Sequence, residues 1–63
     1  MGEAIRIRRK SIDLSQEKLA EKAELHPKYI SEVERGVKTI SMDALMRIAK
    51  ALSVRLNELT RDL

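Results

Sequence analysis

The chain has 63 residues, a formal net charge of +3 with 37% charged residues, no cysteine and a single histidine. At this length one core buries only roughly 60% of the surface that the unfolded chain exposes, so residues 1–63 are expected to form one small domain, undivided by any linker, repeat or low-complexity tract. The composition excludes disulfides, thiolate metal sites and a histidine metal centre, and no apolar run exceeds three residues, which leaves no membrane span or secretion signal. A cytoplasmic chain without metal, cofactor or evident small-molecule ligand is the expectation.

The first helix is expected from about Glu3 to Ile12, with Ile5, Arg9 and Ile12 on one stripe and Ile7 outside it. Ser15 can accept a backbone N–H at the next helix start, and Glu17 complements the dipole in its first turn. Leu19, Ala20 and Ala23 form a narrow apolar stripe there, opposite Glu17, Lys18, Glu21 and Lys22. A third helix begins at about Pro27, whose fixed φ and missing N–H suit the first helical position. Tyr29, Ile30 and Val33 are its apolar residues, Lys28, Ser31, Glu32 and Arg35 point outward, and Gly36 stands where a helix commonly ends left-handed. About three residues separate the second and third helices, so they cross steeply, and small Ala20 lets them approach. That is a helix-turn-helix, which presents a helix N-terminus to a major groove. A fourth helix over Met42–Leu52 and a fifth from Leu56 to about Arg61 complete an all-α, five-helix chain.

The boundaries are reinforced by a repeated spacing, in which an apolar residue precedes each cap and another follows five positions later. The pairs are Leu14/Leu19, Leu25/Ile30, Ile40/Leu45 and Val54/Leu59. They read as hydrophobic staples at the starts marked by Ser15, Pro27, Ser41 and Ser53-Val54.

Basic residues gather in two places. Arg6, Arg8, Arg9 and Lys10 lie in the first helix, where a solvated face and a nucleic-acid surface are both open readings. Lys28, Arg35 and Lys38 lie on or just after the third helix, where the motif favours nucleic acid. No Ser-His-Asp set, carboxylate pair over a cleft, phosphate-cradling glycine loop or metal cluster is present, so an enzyme is not expected.

Three blocks carry a resemblance: Leu14-Ser15-Gln16-Glu17-Lys18-Leu19-Ala20, Tyr29-Ile30-Ser31-Glu32-Val33-Glu34-Arg35-Gly36, and Leu45-Met46-Arg47-Ile48-Ala49-Lys50-Ala51-Leu52. Together they resemble the Cro/repressor helix-turn-helix family, which includes lambdoid phage repressors and the controller proteins of restriction-modification systems. The Tyr-Ile-Ser and Glu-Arg-Gly segments look closest to the controllers. The likeness covers about Glu3 to Leu59 and implies a compact repressor-like domain that binds double-stranded DNA and regulates transcription.

The resemblance also implies roles for particular residues. Gln16 matches a glutamine that touches the DNA backbone, where helix N-terminal amides favour phosphate. Lys28 and Glu32 match positions that read base edges, a lysine donating to guanine and a glutamate accepting from cytosine N4; the alternative is an i,i+4 ion pair. Ser31 touches a base or a phosphate, and Arg35, Lys38, Thr39 and Ser41 match phosphate-gripping positions. Arg9 and Glu34 match an ion pair that links the first helix to the recognition helix. The chain departs from the family pattern at Glu24, where glycine is frequent, and a slightly different turn is expected there. Pro27 is left with apolar contact alone. His26 stands where Ser or Thr usually caps, and it either caps through a ring nitrogen or contacts phosphate. Ser53 and Arg55 replace the usual Gly and Ser/Thr around the fifth helix.

One such domain covers too few base pairs to select a site among roughly 10⁶ or more competitors, so a homodimer on an inverted repeat is expected. Val54, Leu56, Leu59 and Leu63 are the candidate interface, sealing of the core being their other reading. The competing function is a small protein-interaction module, antitoxin-like or partner-binding, without specific DNA readout.

Overall fold

The computed structural model describes residues 1–60, and among these every regular element is a helix. They are α1 (Gly2–Ser11), α2 (Gln16–Ala23), α3 (Pro27–Glu34), α4 (Met42–Ala51) and α5 (Leu56–Thr60). The expected ends at Ile12 and Leu52 each shorten by one residue, and Arg61 lies outside the described residues. Side-chain caps set three of the starts: Ser15 Oγ accepts from Lys18 N–H at 3.0 Å, His26 Nδ1 from Lys28 N–H at 3.0 Å, and Ser41 Oγ from Ala44 N–H at 3.1 Å. At α5 the Glu58 carboxylate accepts the Arg55 N–H at 2.8 Å, one half of a capping box.

The first four helices end alike. Asp13, Glu24, Gly36 and Ser53 adopt positive φ, between 57° and 75°. In each case the following amide bonds back across the last turn: Leu14 to Arg9 O, Leu25 to Ala20 O, Val37 to Glu32 O and Val54 to Ala49 O. This is the Schellman closure, and only one of the four left-handed positions is glycine. The Glu24 turn is therefore not altered; it takes the ordinary left-handed geometry with a residue that strains to adopt it. Arg47 Nη1 donates to Glu24 O at 3.5 Å, which ties the turn to α4. Glu24→Gly should stabilise the fold by about 0.5–1 kcal/mol, the relief of a left-handed non-glycine residue less the added chain entropy. A denaturant midpoint at or below the parent's would refute that.

Ile5, Leu19, Ala20, Ala23, Ile30, Val33, Leu45, Ile48, Ala49, Leu52 and Leu59 form one buried cluster drawn from all five helices. The inner member of every staple pair is in it, and Leu14, Leu25, Ile40 and Val54 pack against it. α2 packs on α3 and α4, while α1 bridges α3 and α5. The α1 stripe is corrected at one end, because Ile12 falls past the last helical residue and is 39% exposed. Ile7 lies on the wall of an open groove between α1 and α5, opposite Val54 and Leu59.

α1 presses unusually closely on the end of α3. A Cβ on Gly2 would collide with Val33 O and stand 2.9 Å from Glu34 O, both of them backbone atoms. Gly2→Ala should therefore cost about 1–3 kcal/mol by overpacking. In a domain this small that is a fall in Tm of about 4 °C or more, and an unshifted thermal melt would show that α1 yields freely.

Candidate nucleic-acid interface

α3 is amphipathic in the sense its sequence dictates. Ile30 and Val33 are buried, while Lys28 and, at the C-cap, Arg35 are exposed and Ser31 and Glu32 half-buried. Among the described residues Lys28 and Glu32 form no ion pair; the surface pairs are Lys18–Glu21 and Arg47–Asp43. The i,i+4 alternative is thus unrealised, and both side chains keep their hydrogen-bonding capacity for another molecule. Pro27 is half-buried at the start of the helix, beside the exposed His26. The ring nitrogen Nδ1 of His26 caps α3 by accepting the Lys28 N–H.

The angle of this helix is set from behind by a buried carboxylate. Glu34 Oε2 accepts from Arg9 Nε at 2.7 Å and Oε1 from Arg9 Nη2 at 3.1 Å, a two-pronged pair whose side chains are 9% and 2% exposed. Arg9 Nη1 also donates to Leu14 O at 2.8 Å, and Gln16 Nε2 donates to Glu34 Oε1 at 3.0 Å. Burial by itself would raise the Glu34 pKa, but the hydrogen bonds from Arg9 and Gln16 and the charges of Arg9 and Arg6 outweigh it and hold the carboxyl below the ordinary glutamate range. One carboxylate therefore joins α1, the start of α2 and the end of α3. Gln16 Nε2 keeps a second N–H that can donate to another acceptor.

The basic cluster of α1 divides under this arrangement. Arg9 is in the buried pair, and Arg8 Nε donates to Leu52 O at 3.2 Å, so two of its four cations hold the fold together. Arg6 and Lys10 remain exposed.

After Gly36 the chain doubles back over the start of α3. Lys38, Thr39 and Ser41 are exposed along this loop. The Lys38 ammonium lies 5.7 Å from the centroid of the Tyr29 ring, and Tyr29 Oη accepts from Ser41 N–H at 3.4 Å. Sequence spacing assigns Tyr29 to the core and gives no sign of this bridge, because its partners lie nine and twelve residues away and only the α3–α4 loop brings them back.

The proposed interface between copies needs correction at one residue. Leu59 is 2% exposed and belongs to the core, since α5 packs on both α4 and α1. Val54 and Leu56 are half-buried against that core and keep part of their surface, and Leu63 lies outside the described residues.

Comparison with known proteins agrees with the geometry. The family described as Helix-turn-helix matches residues 5–59. Control protein C.BamHI of Bacillus amyloliquefaciens is 44% identical over 59 residues, covering 92% of this chain and 73% of that protein. The crystal structure of the restriction-modification controller protein C.AhdI from Aeromonas hydrophila superposes with a TM-score of 0.91 at 36% identity, covering 92% of this chain and 88% of that one. SinR, a master regulator for biofilm formation solved in complex with DNA, superposes with a TM-score of 0.88 at 32% identity over 94% of this chain and 98% of its own. A buried carboxylate that aims α3, an outward face without internal ion pairs, and these likenesses lead to one assignment: the chain belongs to the helix-turn-helix family of DNA-binding transcriptional regulators, of the Cro/repressor type.

Proposed function

We propose that this chain acts as a homodimeric, sequence-specific regulator, a repressor or a restriction-modification controller, in the cytoplasm. Each subunit places α3 in the major groove of one half of an inverted repeat. Lys28, Ser31 and Glu32 read base edges, Pro27 offers apolar contact, and Gln16, Arg35, Lys38, Thr39 and Ser41 hold phosphates, with His26 at the helix start. The observation that carries this reading is the outward face of α3, whose Lys28 and Glu32 form no ion pair with one another although they stand at i,i+4. The controller role is supported by the likeness to C.BamHI and C.AhdI. Val54, Leu56 and Leu63 are the proposed contacts between subunits.

Selection of bound duplexes from a randomised pool at near-physiological salt tests the proposal. An inverted repeat with half-sites about one helical turn apart is the expected result. Enrichment of a single half-site would remove the dimer, and no enrichment would remove sequence-specific reading. With about four phosphates neutralised per subunit, affinity for the selected duplex should fall with salt on a log–log slope near −7. A slope near −3.5 would instead report one bound subunit.

A further inference from the structure

Tyr29 is the chain's one residue of the Tyr, Phe and Trp set, and it stands half-buried in the first turn of α3. Its two polar attachments both reach the same loop. The ring face holds the Lys38 ammonium at 5.7 Å, within the range of a cation–π contact. The hydroxyl accepts the Ser41 N–H, and Ser41 Oγ in turn caps α4. An oxygen that accepts from an amide keeps its own O–H, so neither attachment exhausts the tyrosine.

This arrangement has a consequence for binding phosphate. A lysine free in solvent loses much of its rotamer freedom when it grips a phosphate, whereas one already stationed over a ring loses less. The Ser41 N–H bond acts on the backbone in the same direction, drawing the segment after Gly36 toward the start of α3. We propose that Tyr29 is a positioning residue for the loop between α3 and α4, stationing Lys38 and Ser41 against the phosphates that flank the groove read by α3. The inference rests on the DNA-binding role given to Lys38 above. It adds a coupling: the first turn of the recognition helix and the backbone clamp move as one unit because one side chain joins them.

The test has a DNA-free arm and a DNA arm. In the free protein, the Lys38 ε-CH2 protons should resonate upfield of their random-coil position through the Tyr29 ring current. Tyr29→Phe, which keeps the ring and its packing, should retain that shift, and Tyr29→Leu should abolish it. On the duplex most enriched from the randomised pool, Tyr29→Leu should weaken binding about two- to fivefold per subunit, the worth of an exposed cation–π contact. It should do so without changing the salt slope, since the charge remains. Lys38→Gln should lower the slope by about 0.9 per subunit, and adding Tyr29→Leu to it should cause a smaller loss than Tyr29→Leu causes alone. A coil-like Lys38 signal in the wild type would overturn the positioning role whatever the DNA results. Equal losses from Tyr29→Leu in the presence and absence of Lys38 would overturn it too, by showing that the ring itself touches DNA. A wild type that binds no duplex fails differently, since it removes the DNA reading while the Lys38 signal still reports the contact.

Discussion

Arg9→Ala should remove about 3–5 kcal/mol of stability, because it leaves Glu34 buried and charged with a single amide donor. A domain of this size has about 3–9 kcal/mol in total, so the variant should be largely unfolded or close to it at 25 °C. Exposure separates this outcome from the bland one, since a surface ion pair contributes only about 0–1 kcal/mol and these two side chains are 9% and 2% exposed. A denaturant midpoint matching the parent's would overturn the assignment. Arg9→Met combined with Glu34→Leu should recover a large part of the loss, because buried pairs replaced together by apolar groups are often neutral. Recovery should be incomplete, as Leu14 O and Gln16 Nε2 would lose partners.

The same carboxylate sets an acid limb. Its pKa is lowered in the folded chain, so its contribution is fully present above the ordinary glutamate range and disappears as pH falls through the depressed folded value. Stability measured against pH should therefore decline on the acid side, and Glu34→Gln should flatten that decline while lowering stability at neutral pH. An acid limb of the same steepness in the variant would assign the titration to other carboxylates.

Reversing two charges at the DNA-facing surface should have the opposite profile. Lys28→Glu with Arg35→Glu should weaken binding to the selected duplex by more than about 100-fold, since base-edge and phosphate contacts are both replaced by repulsion. The fold should survive, because both side chains are exposed and neither forms an ion pair among the described residues. A circular-dichroism melt close to the parent's, together with lost binding, is the expected combination. Retained affinity would mean that another face meets DNA.

Local chemistry made most of the fold legible. Ser15, Pro27, Ser41 and Gly36 mark helix ends through side-chain capping, a fixed φ and freedom in the left-handed region, all of which act within a few residues. The staple pairs were equally readable, since each partner lies five positions from the other and packs on the same core. Asp13 was less so: its left-handed conformation lets Leu14 N–H close α1 on Arg9 O, and no glycine marks the position. Ile12 went astray for a related reason, as a stripe continued past the helix end loses its phase, and of the two readings open for Leu59 the packing of α5 on α4 and α1 selected the core.

By itself, then, the sequence determined the starts of α2, α3 and α4, the apolar stripes of α2 and α3 and the outward face of α3, because capping, periodicity and backbone φ preferences are properties of near neighbours. The Arg9–Glu34 pair was implied by the family resemblance; only the tertiary structure decided that Gln16, 18 residues from Glu34, joins it, that Gly2 must lack a side chain beneath the end of α3, and that Tyr29 carries Lys38. Those contacts join segments distant along the chain, and their geometry exists only once the helices have packed and a buried charge or close backbone approach must be satisfied by whatever the fold brings beside it.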